Sequence, residues 1–273
     1  VGAPFFEAAF IPFMVVLALV LPIGAMLPWK RAKVKRAAKQ LIPAFVLAIA
    51  VLALVWAMQT GRSALGPIGM FLGTWLVAGS LTDLAGRTGR GAISNRLSRL
   101  TRLPRADWGK FTAHVGLGIT IMGIAGLEAW QHEDIRVTQL NTPFEVAGYT
   151  VTLENVFREQ GPNYTTTMAD MRVERGGETV ALLHPEKRVY PVQAMPTTEA
   201  AIANGFWRDI YVVIGDPQDD GGWAVRTFIK PFANWIWAGC IIMSLGGLIS
   251  LSDRRFRVAA GAAKAPKQGV PAE

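Results

Sequence analysis

The chain has 273 residues, of which 51% are hydrophobic and 18% are charged, a composition that excludes an ordinary soluble globular domain. Its formal net charge of +8 comes from lysines and arginines that cluster beside apolar segments. Such clusters are a membrane-topology signal, so we expect no nucleic-acid partner. With Cys240 as the single cysteine, an intrachain disulfide is also excluded.

Five apolar runs follow one another along the chain, at 10–28, 41–58, 65–82, 111–127 and 232–252. Each is close to the ~20 residues that a helix needs to cross a hydrocarbon core of ~30 Å. The first run lacks a basic leader and a cleavage site, so it is not a signal peptide. Because the chain starts with valine ahead of this run, we expect a C-terminal piece of a longer protein or one half of a split one.

The predicted fold is an α-helical polytopic membrane protein of about five transmembrane helices with an inserted periplasmic antiparallel β-domain. The predicted parts are four transmembrane helices with basic cytoplasmic loops (1–130), the β-rich domain (131–230), the last transmembrane helix (231–252) and a basic cytoplasmic tail (253–273).

Basic residues predict the orientation. Segment 30–39 carries six, segment 87–110 carries seven, and five follow Ser252. These three segments lie on the same side of the membrane if successive apolar runs cross it in opposite directions. The positive-inside rule makes that side cytoplasmic. The N-terminus is then periplasmic and the C-terminus cytoplasmic. Segment 131–230, with nine basic and fourteen acidic residues, lies on the periplasmic side.

Two loops carry a local signal. The short loop "QTGRSALG" predicts a hairpin of the second and third helices, and Gly69 and Gly73 predict a close helix approach. In "ISNRLSRLTRLPR" (93–105), leucines at helical spacing alternate with arginines. This pattern predicts either a short amphipathic helix on an anionic leaflet or a solvated basic loop.

The segment between the fourth and fifth runs is rich in valine, threonine and alternating apolar residues, which predicts β-strands. The predicted strands are "YTVTLENVFRE", "MADMRVERGGETVALL", "WRDIYVVIGD" and "GWAVRTFIK". Gly176-Gly177 predicts a hairpin turn, and a small sandwich or barrel is expected. The segment "MPTTEAAIANG" is compatible with a strand or a short helix.

His114 is the main candidate site residue, because it lies in the apolar, glycine-rich run "DWGKFTAHVGLGITIMG". An ionisable side chain in a membrane segment is costly and marks a functional site by default. Gly118, one turn away, predicts a notch where a flat macrocycle can lie. Haem ligation, a proton or quinone role, and a structural hydrogen bond to a neighbouring helix all remain open.

The other candidates are weaker. His132 and His184 lie in the predicted outer region, so neither can complete the coordination of a metal at His114, and the histidine and cysteine spacing excludes a zinc site. Cys240 is expected to be a packing residue. We expect Lys187, Arg188 and Tyr190 either to form ion pairs at the protein surface or to bind an acidic group such as a haem propionate. The run-end tryptophans are typical of an interfacial belt: Trp29, Trp108, Trp130, Trp235 and Trp237.

Several longer motifs carry a family resemblance. In order, the chain contains "VGAPFF", "WGKFTAHVG", "EKRVYPVQAMPTTEAAI", "DIYVVIGD", "WAVRTFIKPFANWIWAG" and "SLGGLISLSDRRFR". These resemble the C-terminal part of CcmF, the membrane subunit of the bacterial cytochrome c haem lyase (holocytochrome c synthase). The resemblance covers essentially the whole chain and roughly the last two-fifths of a CcmF.

The resemblance implies a function. CcmF receives haem from CcmE and, with CcmH and CcmI, attaches this transient substrate to the CXXCH thiols of apocytochrome c at the bacterial inner membrane. It carries a b-haem that reduces the incoming haem iron with electrons from quinol, and the histidine that matches His114 is one axial ligand of that haem. No catalytic residue is assigned.

The family's tryptophan-rich haem-handling motif, its two flanking periplasmic histidines and the second b-haem ligand do not occur in this sequence. The resemblance therefore implies that the second ligand lies outside this chain, and that the chain by itself is inactive. A paralogue dedicated to nitrite-reductase maturation, a membrane scaffold and a transporter segment are the alternatives.

Overall fold

The computed structural model describes residues 3–27, 34–61, 63–89, 91–192, 195–219 and 221–253. Trp29, part of the first basic loop and the basic tail from 254 onward lie outside the described residues. The described chain forms six helices: α1 Ala3–Ala25, α2 Val34–Met58, α3 Leu65–Arg87, α4 Ile93–Leu100, α5 Arg105–Trp130 and α6 Ala233–Leu251. All except α4 are long and apolar enough to cross a membrane.

Helices α2, α3 and α5 extend beyond the apolar runs that predicted them. The first basic segment was expected to be a loop, but α2 already begins at Val34 and includes Lys35, Arg36 and Lys39. The fifth helix likewise begins at Arg105, ahead of the apolar run. Helices continue past the hydrocarbon region because their backbone groups stay hydrogen-bonded and long basic side chains can reach the aqueous boundary.

Glycines bring α5 against α6. A Cβ on Gly109 would lie 2.5 Å from the backbone nitrogen of Ser250, and one on Gly116 would lie 2.5 Å from that of Met243. On α6, Gly239 and Gly246 face the same contact, because a Cβ there would lie 2.6 and 2.7 Å from the carbonyl oxygens of Gly116 and Gly109. The two glycine pairs, each seven residues apart, let the backbones touch over two turns.

The opposite side of α5 packs against α3. A Cβ on Gly73 would lie 2.7 Å from the carbonyl oxygen of Gly118, and one on Gly118 would lie 2.9 Å from that of Gly73. The close approach predicted from Gly73 is therefore confirmed, with α5 as the partner. A cluster of buried side chains from α1, α2 and α3 fills the space beside this contact: Ala18, Leu41, Ala44, Ala48, Phe71, Leu72, Trp75 and Leu76.

The short helix α4 confirms the amphipathic helix predicted for the second basic loop. Its arginines hold the end of α3: Arg96 donates to the Thr88 hydroxyl at 3.2 Å, and Arg99 donates to the Thr88 carbonyl at 3.1 Å. Ile93 remains largely exposed. The helix therefore supplies hydrogen-bond donors for the otherwise unpaired carbonyls at the end of α3.

Ten strands form two antiparallel sheets between α5 and α6. One sheet has the order β1-β10-β9-β8; the other has the order β2-β3-β4-β6-β7, with β5 also paired to β4. The strands are β1 His132–Thr138, β2 Pro143–Val146, β3 Tyr149–Gln160, β4 Thr165–Arg175, β5 Glu178–Leu183, β6 Glu186–Tyr190, β7 Met195–Glu199, β8 Ala201–Ala203, β9 Arg208–Pro217 and β10 Trp223–Pro231.

Alternating residues of both sheets meet in one buried core, which confirms the sandwich rather than the barrel. The first sheet contributes Val212, Ile214 and Val225, while the second contributes Val151 and Leu153, all with at most 1% exposure. Period-two alternation places every second side chain of a strand on the same face, so each sheet buries one face.

Several strand predictions are settled by the structure. Gly176 and Gly177 have φ values of 60° and 85°, as a two-residue hairpin turn requires, and they connect β4 to β5. The undecided segment 195–205 forms β7 and β8. Three strands were missed: β1, β2 and β6 are short or carry charges at alternate positions, and pairing rather than intrinsic preference makes them strands.

The chain divides into two compact units. The helical unit comprises Pro67–Met122 together with the chain up to Leu54 and from Ile236 onward. The β unit comprises Val55–Gly66 and Gly123–Trp235. The fold is thus an α-helical membrane protein with a β-sandwich inserted between its last two membrane helices.

The α5–α6 contact gives a test with two adjacent glycines. We expect Gly246→Ala to lower the stability of the helical unit by about 1–3 kcal/mol, because the added methyl meets the α5 backbone. The matched control is Gly247→Ala, since a Cβ on Gly247 meets no atom within 4 Å. Thermal unfolding in detergent micelles measures both, and equal unfolding temperatures for the two variants would contradict the close contact.

Candidate functional site

His114 lies in the cytoplasm-side half of α5 on the predicted topology and is partly buried. Among the residues that the structure describes, none forms a hydrogen bond with its imidazole ring, so the structural hydrogen bond considered from the sequence has no partner there. Within the described part of the chain, the ring nitrogens therefore have no hydrogen-bond partner, although the ring lies in an otherwise apolar stretch of helix. An unpaired polar group in such a place is costly, which favours a role for the ring as a ligand.

The prediction of a notch over Gly118 is wrong. A Cβ on Gly118 would lie 2.7 Å from Val77 Cγ2 and 2.9 Å from the carbonyl oxygen of Gly73. The missing side chain at Gly118 therefore accommodates α3, and the space directly over Gly118 is filled.

The direction in which His114 points follows from the contacts of α5. Two residues separate it from Gly116, which corresponds to a rotation of about 200° in a helix of 3.6 residues per turn. Because Gly116 touches α6, the ring lies on the side of α5 away from α6. One turn further along, Gly118 touches α3, so the ring is directed towards the α3 side of the bundle.

A network of charges holds α5 one turn before His114. Lys110 pairs with Asp83 of α3 and also donates to the carbonyl oxygen of Ala25 at 3.1 Å. Arg87 donates to Asp83 at 3.3 Å and to Asp107 at 2.7 Å. Asp83 is 8% exposed, so its charge is stabilised by two cations rather than by water. The network restrains both the rotation and the sliding of α5 against α3.

This charge network was not predicted from the sequence. Asp83 is an acidic residue at the end of an apolar run, and Lys110 is four residues before the buried histidine. Charged residues in or beside a membrane segment pair with one another more often than they stand alone. This rule could have predicted that Asp83 and Lys110 each have a charged partner. Only the structure shows that the two residues pair with each other.

Cys240 packs between α5 and α6, as expected for a small apolar residue. Its sulfur lies 3.8 Å from the Thr120 hydroxyl. Thr120 in turn donates to the carbonyl oxygens of Gly116 at 3.1 Å and of Ile236 at 3.4 Å, which places the side chain within the glycine contact. Within the described ranges, no cluster of three or more His, Cys, Asp or Glu side chains could hold a metal ion.

The two other histidines belong to the β unit. His132 is the first residue of β1 and pairs with Ile229 of β10. His184 follows β5, and its Nδ1 lies 2.9 Å from an Asp170 carboxylate oxygen. Both side chains therefore belong to the sandwich, where His184 has an ordinary surface partner.

The basic cluster of the sandwich is paired within the domain. Lys187 bonds Asp216, and Arg188 contacts Glu186 at 2.9 Å while its guanidinium stacks 4.6 Å over the Tyr164 ring. Hydrogen bonds from Arg188 and Thr166 hold the pKa of Glu186 below its ordinary value. These contacts favour ion pairing within the surface over an open site for an acidic ligand.

Comparison with known proteins decides the family. A family model described as the CcmF C-terminal beta-sandwich matches residues 129–231, from the end of α5 to the end of β10. The cytochrome c-type biogenesis protein ccl1 of Rhodobacter capsulatus is 61% identical over 97% of this chain and 40% of its own length. The chain belongs to the CcmF family.

Two further similarities agree with this family. The cytochrome c-type biogenesis protein CycK of Bradyrhizobium diazoefficiens is 41% identical over 100% of this chain and 42% of its own length. A solved structure titled cytochrome c heme lyase CcmF matches 92% of this chain and 41% of that chain with a TM-score of 0.66 at 18% identity, a likeness of fold. The chain thus spans about two-fifths of the length of these CcmF-type relatives.

The charge network beside His114 gives a second test. We expect Asp83→Asn to destabilise the helical unit by about 1.5–3 kcal/mol, because Lys110 and Arg87 both lose a charged, mostly buried acceptor. The control Asp107→Asn removes only the bond from Arg87, and we expect it to cost less than about 1 kcal/mol. Thermal unfolding in micelles separates the two, and an Asp83 variant as stable as the Asp107 variant would refute a structural role for the network.

Proposed function

We propose that this chain is a component of a CcmF-type cytochrome c haem lyase, in which His114 supplies one axial ligand to a membrane b-haem. The carrying observation is that His114 lies in a membrane helix with its ring unpaired among the described residues, while α5 is locked in rotation on two sides. The names of two relatives, both cytochrome c-type biogenesis proteins, support this proposal.

The residues present fit such a haem ligand. A neutral imidazole is a usual axial ligand of haem iron, and its orientation is normally restrained by its surroundings. Here the restraint comes from the helix rather than from a hydrogen bond to the ring. The glycine contacts and the Asp83–Lys110 pair hold α5, and therefore the ring, in one direction. The second axial ligand has to come from outside this chain.

The bound b-haem would supply one-electron transfer from quinol to the iron of the haem that is to be attached. The contribution of the chain is to hold one ligand rigidly in an apolar environment, which excludes water and limits reorganisation. In the attachment step, a cysteine S–H of the CXXCH motif adds across a haem vinyl group and forms a thioether. The described residues offer no obvious nucleophile for that step, so we assign the chain a positioning role.

The orientation and the partners are also part of the proposal. The basic residues of α2, α4 and the start of α5 favour a cytoplasmic location for these helix ends in the bacterial inner membrane. The sandwich, which precedes α6, is then periplasmic. On that side the sandwich would position CcmH, CcmI or apocytochrome c. CcmE would deliver the haem substrate, and membrane lipid would surround the helices.

Difference spectra test the role of His114. The chain is co-expressed and purified with the N-terminal part of a CcmF, and dithionite-reduced minus oxidised spectra are recorded for wild type and His114→Ala. We expect a b-type α-band in wild type and less than about a tenth of it in the variant, since loss of a ligand removes most of the affinity for the iron. His132→Ala and His184→Ala are matched controls that should keep the band.

The spectra also discriminate the alternatives. A band of equal height in wild type and His114→Ala would place the ligand elsewhere and contradict the assignment. A folded complex without a band in either protein would favour a membrane scaffold. Holocytochrome c accumulation in cells provides the functional readout, and we expect it to fall together with the band.

A further inference from the structure

The loop between β8 and β9 exposes two large aromatic rings. Phe206 is 66% exposed and Trp207 is 59% exposed, and their centroids lie 4.9 Å apart in an edge-to-face arrangement. Each ring offers apolar area whose burial is worth a few kcal/mol, yet both project away from the sandwich core. An exposed aromatic pair of this kind indicates an interaction surface.

Hydrogen bonds fasten this loop to the first turn of α6. The backbone N–H of Phe232 donates to the Trp207 carbonyl at 2.8 Å, and the Trp235 indole donates to the Phe206 carbonyl at 3.1 Å. The Asn234 amide donates at 2.9 Å both to the Gly205 carbonyl and to the Asp209 carboxylate. The loop is therefore held beside the start of α6 and cannot drift along the helix axis.

The length of α6 gives the membrane depth of the loop. The helix has 19 residues, which correspond to about 28 Å at 1.5 Å per residue, just enough for the hydrocarbon core. Its first turn, at Ala233, therefore lies at one boundary between hydrocarbon and headgroups. Because Phe206 and Trp207 are bonded beside that turn, their rings lie at the same boundary.

Neighbouring rings fit this depth. Trp235, Phe232 and Trp130 form a continuous aromatic group with the loop, with centroid distances of 5.7 Å from Trp207 to Trp235 and 5.8 Å from Trp130 to Phe232. Aromatic rings concentrate at the headgroup level of membranes, where one edge is apolar and the other is polar.

The charges beside the loop favour lipid phosphate. In the described ranges, Arg208 and Lys230 pair with no carboxylate, and each stacks on a tyrosine ring instead, at 4.7 Å on Tyr149 and 4.2 Å on Tyr211. The acidic neighbour Asp209 is 2% exposed and is used to hold the loop. Arg208 Nε is buried, so the accessible positive charge beside the loop is that of the half-buried Lys230, which complements the phosphates of a lipid surface.

We infer that Phe206 and Trp207 form a membrane anchor that inserts into the headgroup boundary of the phospholipid bilayer at the start of α6. The anchor is an attachment of the sandwich in addition to its covalent connections to α5 and α6. It fixes the membrane-side end of the first sheet at the lipid surface. The partner is the bilayer itself, and the inference does not depend on the role of His114.

Site-directed fluorescence tests the anchor in the full chain. In a Cys240→Ser background, Phe206→Cys is labelled with the environment-sensitive fluorophore NBD and reconstituted in vesicles of phosphatidylcholine and phosphatidylglycerol. The control is Asp219→Cys, in the turn at the far end of the β9–β10 hairpin, about 30 Å away for a nine-residue strand. Lipids that carry a nitroxide near the glycerol act as the quencher.

We expect the loss of fluorescence at position 206 to be about threefold larger than at position 219, since an anchored ring lies within the headgroup boundary. Equal quenching at the two positions would overturn the anchor and favour a protein partner for the aromatic pair. Circular dichroism verifies that each labelled variant is folded. Trp207→Cys provides a second labelling site, with the same expected result, if Phe206→Cys does not fold.

Discussion

The backbone contact between α5 and α6 is the constraint on which much of the helical unit depends. Two glycine pairs leave no side chain at four positions of the contact, so the helix backbones approach closely there. In a membrane, this close packing replaces the hydrophobic effect as the driving force for helix association. Gly73 and Gly118 allow the same close approach between α5 and α3, so α5 is packed tightly between two neighbouring helices. A helix gripped in this way cannot rotate without steric clashes.

The orientation of His114 is a consequence of that grip. The ring is not positioned by a hydrogen bond from any described residue, but by the helix that carries it. The Asp83–Lys110 pair adds a polar restraint at the end of α5, where the surroundings become more polar and a charged network is less costly to maintain. Steric contact in the apolar part and charge pairing near the boundary thus act together to hold the helix that carries this imidazole in one orientation.

The sandwich is stabilised by a buried apolar core and by strand pairing rather than by close helix contacts. Its two sheets bury a core of mostly aliphatic side chains. The strands next to α5 and α6 in sequence, β1 and β10, pair along their length. A domain entered and left through paired neighbouring strands needs no long linkers. The loop of Phe206 and Trp207 extends this arrangement, because it joins β9 to the first turn of α6 through hydrogen bonds that no local sequence pattern encodes.

The sequence by itself determined the membrane class, the five spans, the hairpin at Gly176-Gly177 and four of the main strand segments, because hydrophobic length, periodicity and turn chemistry are local properties. It also singled out His114, since an ionisable residue in an apolar run is visible without a structure. Only the tertiary structure decided what fills the space around that residue. The notch over Gly118 is closed by α3, Asp83 meets Lys110, and Gly109 meets Gly246. These contacts join residues far apart in the chain, and their energies depend on packing geometry that no single segment contains.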